Sequence, residues 1–161
     1  MAGLVAAGLI ARPVPALARV RAPRIGRLTK VPRRPYDENA DAEADVRAAA
    51  TRARSENKLL LIDFGGNWCP DCLILAGIME MPEAKAFLDR YYVIVHVDVG
   101  RMDRNLQIAD RYGMKRFKGV PAVIVVTPRG KVLNRNDAFV LANARAMSDQ
   151  AVLDTLASWI P

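Results

Sequence analysis

The chain has 161 residues, of which 52% are hydrophobic and 25% are charged. These values are close to those of ordinary globular proteins, so they exclude a chain that is disordered throughout, and the length suits one domain with a modest tail. No run reaches the roughly 18 apolar residues that a membrane-spanning helix needs, so the sequence predicts no transmembrane segment in the mature protein.

The net charge of +7 comes from one end of the chain. Residues 1–36 hold eight basic side chains and no acidic one, whereas residues 37–161 hold 16 basic and 17 acidic side chains. A folded part without excess positive charge has no general attraction to phosphate backbones. The sequence therefore predicts no nucleic-acid partner.

Residues 1–36 are predicted to form a basic N-terminal tail in front of the domain. Residues 2–11 are small and apolar, and Ala16-Leu17-Ala18 has the form at which signal peptides are cut, which favours export to the periplasm. No basic residue precedes the apolar run, so a plain tail on a cytoplasmic protein and an organelle-targeting peptide are the alternatives. Residues 19–36 combine prolines and arginines with little apolar surface, which predicts a linker.

Residues 37–161 alternate between helix-like and strand-like segments and are predicted to form the domain. The patterns predict helices over residues 41–56, 73–80, 82–90, 104–112 and from 148 onward, and strands over 59–64, 92–99, 122–127 and 131–134. Alternation predicts parallel pairing, and a turn at Pro128-Arg129-Gly130 predicts an antiparallel edge strand after it. The expected fold class is α/β, with a mixed central β-sheet flanked by helices.

The chain's two cysteines, Cys69 and Cys72, lie between a predicted buried strand and a predicted helix. Unpaired N–H groups at a helix start stabilise a thiolate, which favours Cys69 as a nucleophile, and Cys72 is near enough to be its resolving partner. A C-x-x-C pair in this place is typical of a redox site; two structural cysteines are the alternative. Two cysteines cannot supply the four ligands of a structural zinc site, and no metal or other cofactor is predicted.

The segment from Leu60 to Cys72, with Trp68 directly before the first cysteine, resembles the active-site strand and loop of the thioredoxin superfamily. Gly119-Val120-Pro121 is similar to that superfamily's cis-proline loop, although a proline that merely opens a strand is the alternative. The resemblance covers about residues 37–161 and is strongest to bacterial thioredoxin-like proteins related to the C-terminal domain of thiol:disulfide interchange proteins. It implies a thioredoxin-like fold in which Trp68, Val120 and Pro121 contact a bound cysteine-containing polypeptide.

Asp63 lies six residues before Cys69, within an apolar strand. The resemblance implies that it is the buried acid that handles the proton of the resolving cysteine, a role that suits a carboxylate held away from water. The alternative is a structural aspartate bonded to nearby backbone. The superfamily's partner lysine is absent, because Ile94, expected at that position, is apolar. His96, the only histidine, is predicted to be structural rather than a metal ligand.

Pro70 and Asp71, between the cysteines, are predicted to tune the redox potential, since any group that favours the Cys69 thiolate makes the disulfide more oxidising. An acid near the sulfurs disfavours the thiolate, whereas strong oxidases of this fold carry histidine in its place. The sequence thus favours a protein-disulfide reductase that acts on cysteine-containing protein substrates and receives its electrons from an upstream reductase. A dithiol oxidase and a non-enzymatic thioredoxin-like binding module are the alternatives.

Overall fold

A computed structural model describes residues 19–161 and has a three-stranded sheet at its centre, in the order β2-β1-β3. The strands are β1 (Leu59–Gly65), β2 (Tyr92–Asp98) and β3 (Ala122–Val126). Strand β1 pairs in parallel with β2 and antiparallel with β3. The predicted mixed sheet is therefore confirmed.

The direction of β3 differs from the expectation of parallel pairing. Strand β2 ends at Asp98 opposite Gly65, and β3 begins at Ala122 opposite Phe64, so both points lie at the carboxyl edge of β1. The intervening residues begin and end at this edge and do not carry the chain back across the sheet. Strand β3 consequently runs in the opposite direction to β1.

Within residues 19–161, five α-helices cover the two faces of the sheet: α1 (Ala42–Ser55), α2 (Pro70–Met79), α3 (Pro82–Tyr91), α4 (Leu106–Arg111) and α5 (Asp149–Ser158). Helix α2 begins at Pro70, three residues earlier than predicted, because a proline needs no N–H partner in a first helical turn. Helices α2, α3 and α5 pack against Leu59 and Leu61, whereas α1 and α4 pack against Leu60 and Ile62. Alternate residues of β1 thus serve two cores, and every residue of this strand is buried.

The chain turns back beside β3 over residues 131–134 as predicted, but it forms one antiparallel bridge, between Val126 and Val132, rather than a strand. Instead, the Asn134 side chain, 2% exposed, accepts the N–H of Val125 at 2.8 Å and donates to the carbonyl of Val123 at 2.9 Å. A side-chain amide therefore pairs with this edge of β3 alongside backbone hydrogen bonds from Leu133 to Val125 and from Val123 to Ala138. A strand pattern in the sequence does not reveal this pairing.

Replacement of Asn134 by alanine is expected to lower the free energy of unfolding by about 2 kcal/mol, since it leaves a buried N–H and a buried carbonyl unpaired. Urea denaturation measures the effect. The Asn39→Ala variant, which changes an exposed asparagine, is the control and should unfold like the parent. Equal stability of the two variants would show that the amide of Asn134 does not hold this edge.

Residues 19–35 contain no helix or strand, yet they lie against the domain. The N–H groups of Ile25 and Leu28 donate to Gln150 at 3.0 Å and to Asp149 at 2.7 Å, and the apolar side chains of the segment pack on the core. The predicted linker therefore makes packing contacts with the domain, because apolar side chains recur between its arginines. The boundary at residue 36 stays a prediction.

The predicted export segment, with its apolar run over residues 2–11 and Ala16-Leu17-Ala18, lies outside the described residues. Among residues 19–161, no helix combines the length and apolar character required to cross a bilayer.

Candidate active site

Cys69 and Cys72 form a disulfide at the start of α2, with their Cα atoms 5.2 Å apart. Cys69 is the N-cap residue of this helix, and its Sγ accepts the backbone N–H of Cys72 at 3.2 Å. The Cys72 N–H and the positive end of the helix dipole stabilise negative charge on the Cys69 sulfur once the disulfide is reduced. Cys69 is 4% exposed and Cys72 is fully buried, so Cys69 is the sulfur that an incoming disulfide reaches first.

The loop in front of β3 approaches the cysteine pair. Its Val120–Pro121 peptide bond is cis, and the carbonyl oxygen of Val120 lies 3.7 Å from Sγ of Cys69. Pro121 is buried, whereas Val120 is only half-buried. The carbonyl of Val120 is therefore the part of this loop that faces the Cys69 sulfur.

Trp68 presents an exposed aromatic surface next to Cys69. Its side chain is 40% exposed, its Nε1 donates to the carbonyl of Gly100 at 2.6 Å, and the guanidinium of Arg101 lies 4.8 Å from the ring centroid. A Cβ atom at Gly66 would come within 2.7 Å of Nε1, so the absence of a side chain there leaves room for the ring. The indole is consequently held in one orientation on the surface.

Asp71 is buried rather than free beside the sulfurs. The backbone N–H of Arg145 donates to Oδ1 of Asp71 at 2.9 Å, and Nε of Arg145 lies 3.4 Å from Oδ2. Arg145 belongs to a single 3₁₀ turn, Ala144–Ala146, that packs against α2. Its positive charge opposes the expected effect of an unpaired acid on the cysteine thiolate. Sequence reasoning missed Arg145, which lies 74 residues away along the chain.

Asp63 is fully buried in β1 and belongs to a polar cluster with Tyr36 and His96. The hydroxyl of Tyr36 donates to Oδ2 of Asp63 at 2.7 Å, and Nδ1 of His96 lies 2.8 Å from the same oxygen. The other carboxylate oxygen, Oδ1, is buried and has no hydrogen-bond partner among the described residues. Because Tyr36 also packs against Cys69 and Cys72, this cluster adjoins the disulfide.

Ile94, expected at the position of the partner lysine, does not lie beside Asp63. In the parallel register Asp63 stands opposite His96, and Ile94 stands opposite Leu61. His96 is therefore a hydrogen-bond partner of the buried acid. A signal for this pairing exists in the sequence: Asp63 and His96 are isolated polar residues at equivalent places near the ends of two apolar strands. Residues 19–161 contain no group of three or more His, Cys, Asp or Glu side chains arranged to hold a metal ion.

The pKa values of Tyr36 and His96 are both raised by their surroundings. Burial raises the pKa of Tyr36 well above its ordinary value, and the charge and hydrogen bond of Asp63 act in the same direction. Burial alone lowers the pKa of His96, but the hydrogen bond to Asp63 and its negative charge outweigh burial, so the net shift is upward. Tyr36 is thus kept neutral, and His96 stays protonated to higher pH than a free histidine.

Tyr36 is fixed in place by Asn67 and Gly65. The Asn67 side chain accepts the N–H of Tyr36 at 3.1 Å and donates to its carbonyl at 2.8 Å. A Cβ atom at Gly65 would come within 2.5 Å of the tyrosine ring, so only glycine lets the ring lie across the end of β1. Sequence reasoning places Tyr36 at the end of the predicted tail, because nothing in the local pattern links it to an acid 27 residues later.

The chain is similar to thioredoxin-like proteins in sequence and in structure. A family model described as thioredoxin-like matches residues 41–128. The solved structure of a disulphide isomerase from Xylella fastidiosa Temecula1 is 41% identical, with 76% of this chain and 94% of that chain covered and a TM-score of 0.72. The DsbD C-terminal domain from Neisseria meningitidis, in its reduced form, is 26% identical, with 58% and 80% covered and a TM-score of 0.45. No curated protein matches the chain.

Proposed function

Because the chain belongs to the thioredoxin-like family and carries the Cys69–Cys72 pair of a disulfide oxidoreductase, we propose that it reduces disulfides in cysteine-containing proteins. The observation that carries the proposal is the placement of the pair. Cys69 caps α2, is the more accessible sulfur and lies against the Val120 carbonyl, while Cys72 is enclosed behind it.

The reaction proceeds by two exchanges. The Cys69 thiolate attacks one sulfur of a substrate disulfide, a Cys69–substrate disulfide forms, and the other substrate sulfur leaves as a thiolate that takes up a proton. Cys72 then gives its proton to Asp63 and attacks Sγ of Cys69, which releases the second substrate thiol and leaves the Cys69–Cys72 disulfide. Two electrons pass to the substrate. An upstream dithiol reductase restores the cysteines, and Cys72 regains its proton from Asp63.

Two surfaces beside Cys69 support contact with a polypeptide. Trp68, the residue before Cys69, offers an exposed aromatic surface, and the Val120 carbonyl lies 3.7 Å from the Cys69 sulfur. A substrate cysteine bonded to Cys69 therefore sits beside the backbone of Val120, while neighbouring substrate residues rest on the indole. Pro70 and Asp71 complete the site by setting its redox potential.

Disulfide isomerisation is a second candidate function, favoured by the name of the 41% identical relative from Xylella fastidiosa Temecula1. It begins with the same attack by Cys69 on a protein disulfide. The two functions differ in outcome, because an isomerase returns to the dithiol form without net electron transfer. Refolding of a protein with scrambled disulfides, in the absence of any added reductant, measures isomerisation separately.

Export to the periplasm is the proposed location, supported by the apolar run and the small-x-small site near the N-terminus; a cytoplasmic protein is the alternative. N-terminal sequencing of the mature protein tests this proposal, and a mature chain that begins after Ala18 supports export.

The Cys72→Ser variant tests the proposed function. It is expected to form stable mixed disulfides with substrate proteins through Cys69, because no resolving thiol remains to release them. Captured proteins appear as bands on non-reducing gels that dithiothreitol removes. The Cys69→Ser/Cys72→Ser double variant is the matched control and should capture nothing. Capture of no protein by the single variant, with Cys69 shown to be reduced, would contradict the proposal.

A further inference from the structure

The carboxylate of Asp63 is held by two side chains that both bind the same oxygen. Tyr36 Oη and His96 Nδ1 lie 2.7 and 2.8 Å from Oδ2, while Oδ1 has no partner among residues 19–161. An unpaired, fully buried carboxylate oxygen is costly to keep, and a catalytic role is one reason for which proteins retain such a group. Oδ1 is therefore the atom of this carboxylate that is left to exchange a proton.

The two partners of Asp63 come from different parts of the molecule and differ in their access to solvent. Tyr36 precedes α1, is buried, packs against both cysteines and meets His96 edge to face, with ring centroids 5.5 Å apart. His96 lies in β2 and keeps 23% of its side chain exposed. Tyr36 thus supplies a neutral hydrogen bond next to the disulfide, and His96 supplies a charge that responds to the pH of the solvent.

We infer that Tyr36 and His96 are positioning residues of the redox reaction, which hold Oδ2 of Asp63 so that Oδ1 accepts the proton of Cys72. The inference rests on the proposed role of Asp63 as proton acceptor. In the release step the Cys72 proton passes to Oδ1, the Cys72 thiolate attacks Sγ of Cys69, and the Cys69–substrate bond breaks. The substrate thiolate takes up a solvent proton, and Asp63 holds the Cys72 proton until an external dithiol re-reduces the pair.

His96 makes this step depend on pH. A protonated His96 favours the ionised carboxylate, which is the form that accepts a proton. The other charged groups that act on the cluster are Glu80 and Lys85, which affect His96 in opposite directions, and Asp98, which acts on Tyr36. Removal of the histidine charge should therefore displace the acid side of the release step's pH profile to higher pH.

The two exchanges can be timed separately with the aryl disulfide dithiobis(nitrobenzoic acid). Reduced protein releases a first thionitrobenzoate when Cys69 attacks and a second when Cys72 attacks the mixed disulfide. Stopped-flow absorbance follows both phases. In the Tyr36→Phe and His96→Leu variants the second phase is expected to slow by about tenfold while the first changes by less than about twofold. The His96→Gln variant keeps a hydrogen-bond donor but not the charge. It should therefore recover the rate of the second phase at high pH but not at low pH.

A double-variant comparison separates positioning from a general structural effect. If Tyr36 and His96 act through Asp63, adding His96→Leu to the Asp63→Asn variant should not slow the second phase further. The Tyr92→Phe variant is the control, since it removes another buried tyrosine hydroxyl, which donates to the carbonyl of Leu156 at 2.7 Å. Circular dichroism checks that each variant is folded, and His96→Gln provides the test where His96→Leu does not fold.

Two results would overturn the inference. One is that the folded Tyr36→Phe and His96→Gln variants show the second phase with the same rate and the same pH profile as the parent protein. The other is an equal slowing by His96→Leu with and without Asp63. Failure of the proposed function is read from a different experiment, because the Cys72→Ser variant would then capture no substrate protein, whatever the rate of the second phase.

Discussion

Replacement of Cys69 by serine is expected to abolish the reduction of insulin disulfides, with a loss of at least about 100-fold. A serine hydroxyl is not ionised near neutral pH and forms no disulfide, so the N–H groups at the start of α2 have no anionic nucleophile to stabilise. Insulin turbidity in the presence of dithiothreitol measures the activity.

The Cys69→Ser variant also separates an enzyme from a binding module. If the cysteines only stabilise the fold, the reduced parent protein and the variant should have equal and negligible insulin-reducing activity above the dithiothreitol background. Thermal unfolding of the reduced parent and the variant is the control, because both lack the disulfide. A folded variant with the activity of the parent protein would contradict the assignment of Cys69 as nucleophile.

The redox potential should move in opposite directions when Asp71 and Arg145 are changed. The Asp71→His and Asp71→Asn variants remove an acid at the start of α2, which favours the Cys69 thiolate and makes the disulfide more oxidising. The Arg145→Gln variant leaves Asp71 without its ionic partner, 3.4 Å away, and makes the disulfide more reducing. Each shift is expected to be about 30 mV or more, which corresponds to a tenfold change in the equilibrium constant.

Equilibration with glutathione redox buffers measures these potentials. The Arg135→Gln variant is a matched control, since Arg135 is exposed and contacts the Gly113 carbonyl rather than the site. Shifts of the same sign for Asp71→Asn and Arg145→Gln would show that the pair does not act through its charges. A redox potential of the parent protein as oxidising as that of strong dithiol oxidases would contradict the proposed reductase and favour a dithiol oxidase.

Strand order and side-chain partners account for what sequence reasoning missed at the site. Cys69 and Cys72 are visible in the sequence because they lie between a predicted strand and a predicted helix, and the resemblance to the thioredoxin superfamily implies the parts of Asp63, Trp68 and the Val120-Pro121 loop. Tyr36, Asn67 and Arg145 are not, because they reach the site through long-range contacts that no local pattern encodes. The same reason explains Asn134, whose side chain pairs with the edge of β3 where a longer strand was predicted.

The sequence by itself determined the α/β class, the positions of the main helices and strands, and the placement of a redox pair where a buried strand meets a helix. Local periodicity and the chemistry of helix ends are sufficient for these features. Only the tertiary structure decided that β3 runs antiparallel to β1, that His96 rather than Ile94 faces Asp63, and that Arg145 pairs with Asp71. These depend on strand register and on the packing of distant segments, which set the partner of each buried charge.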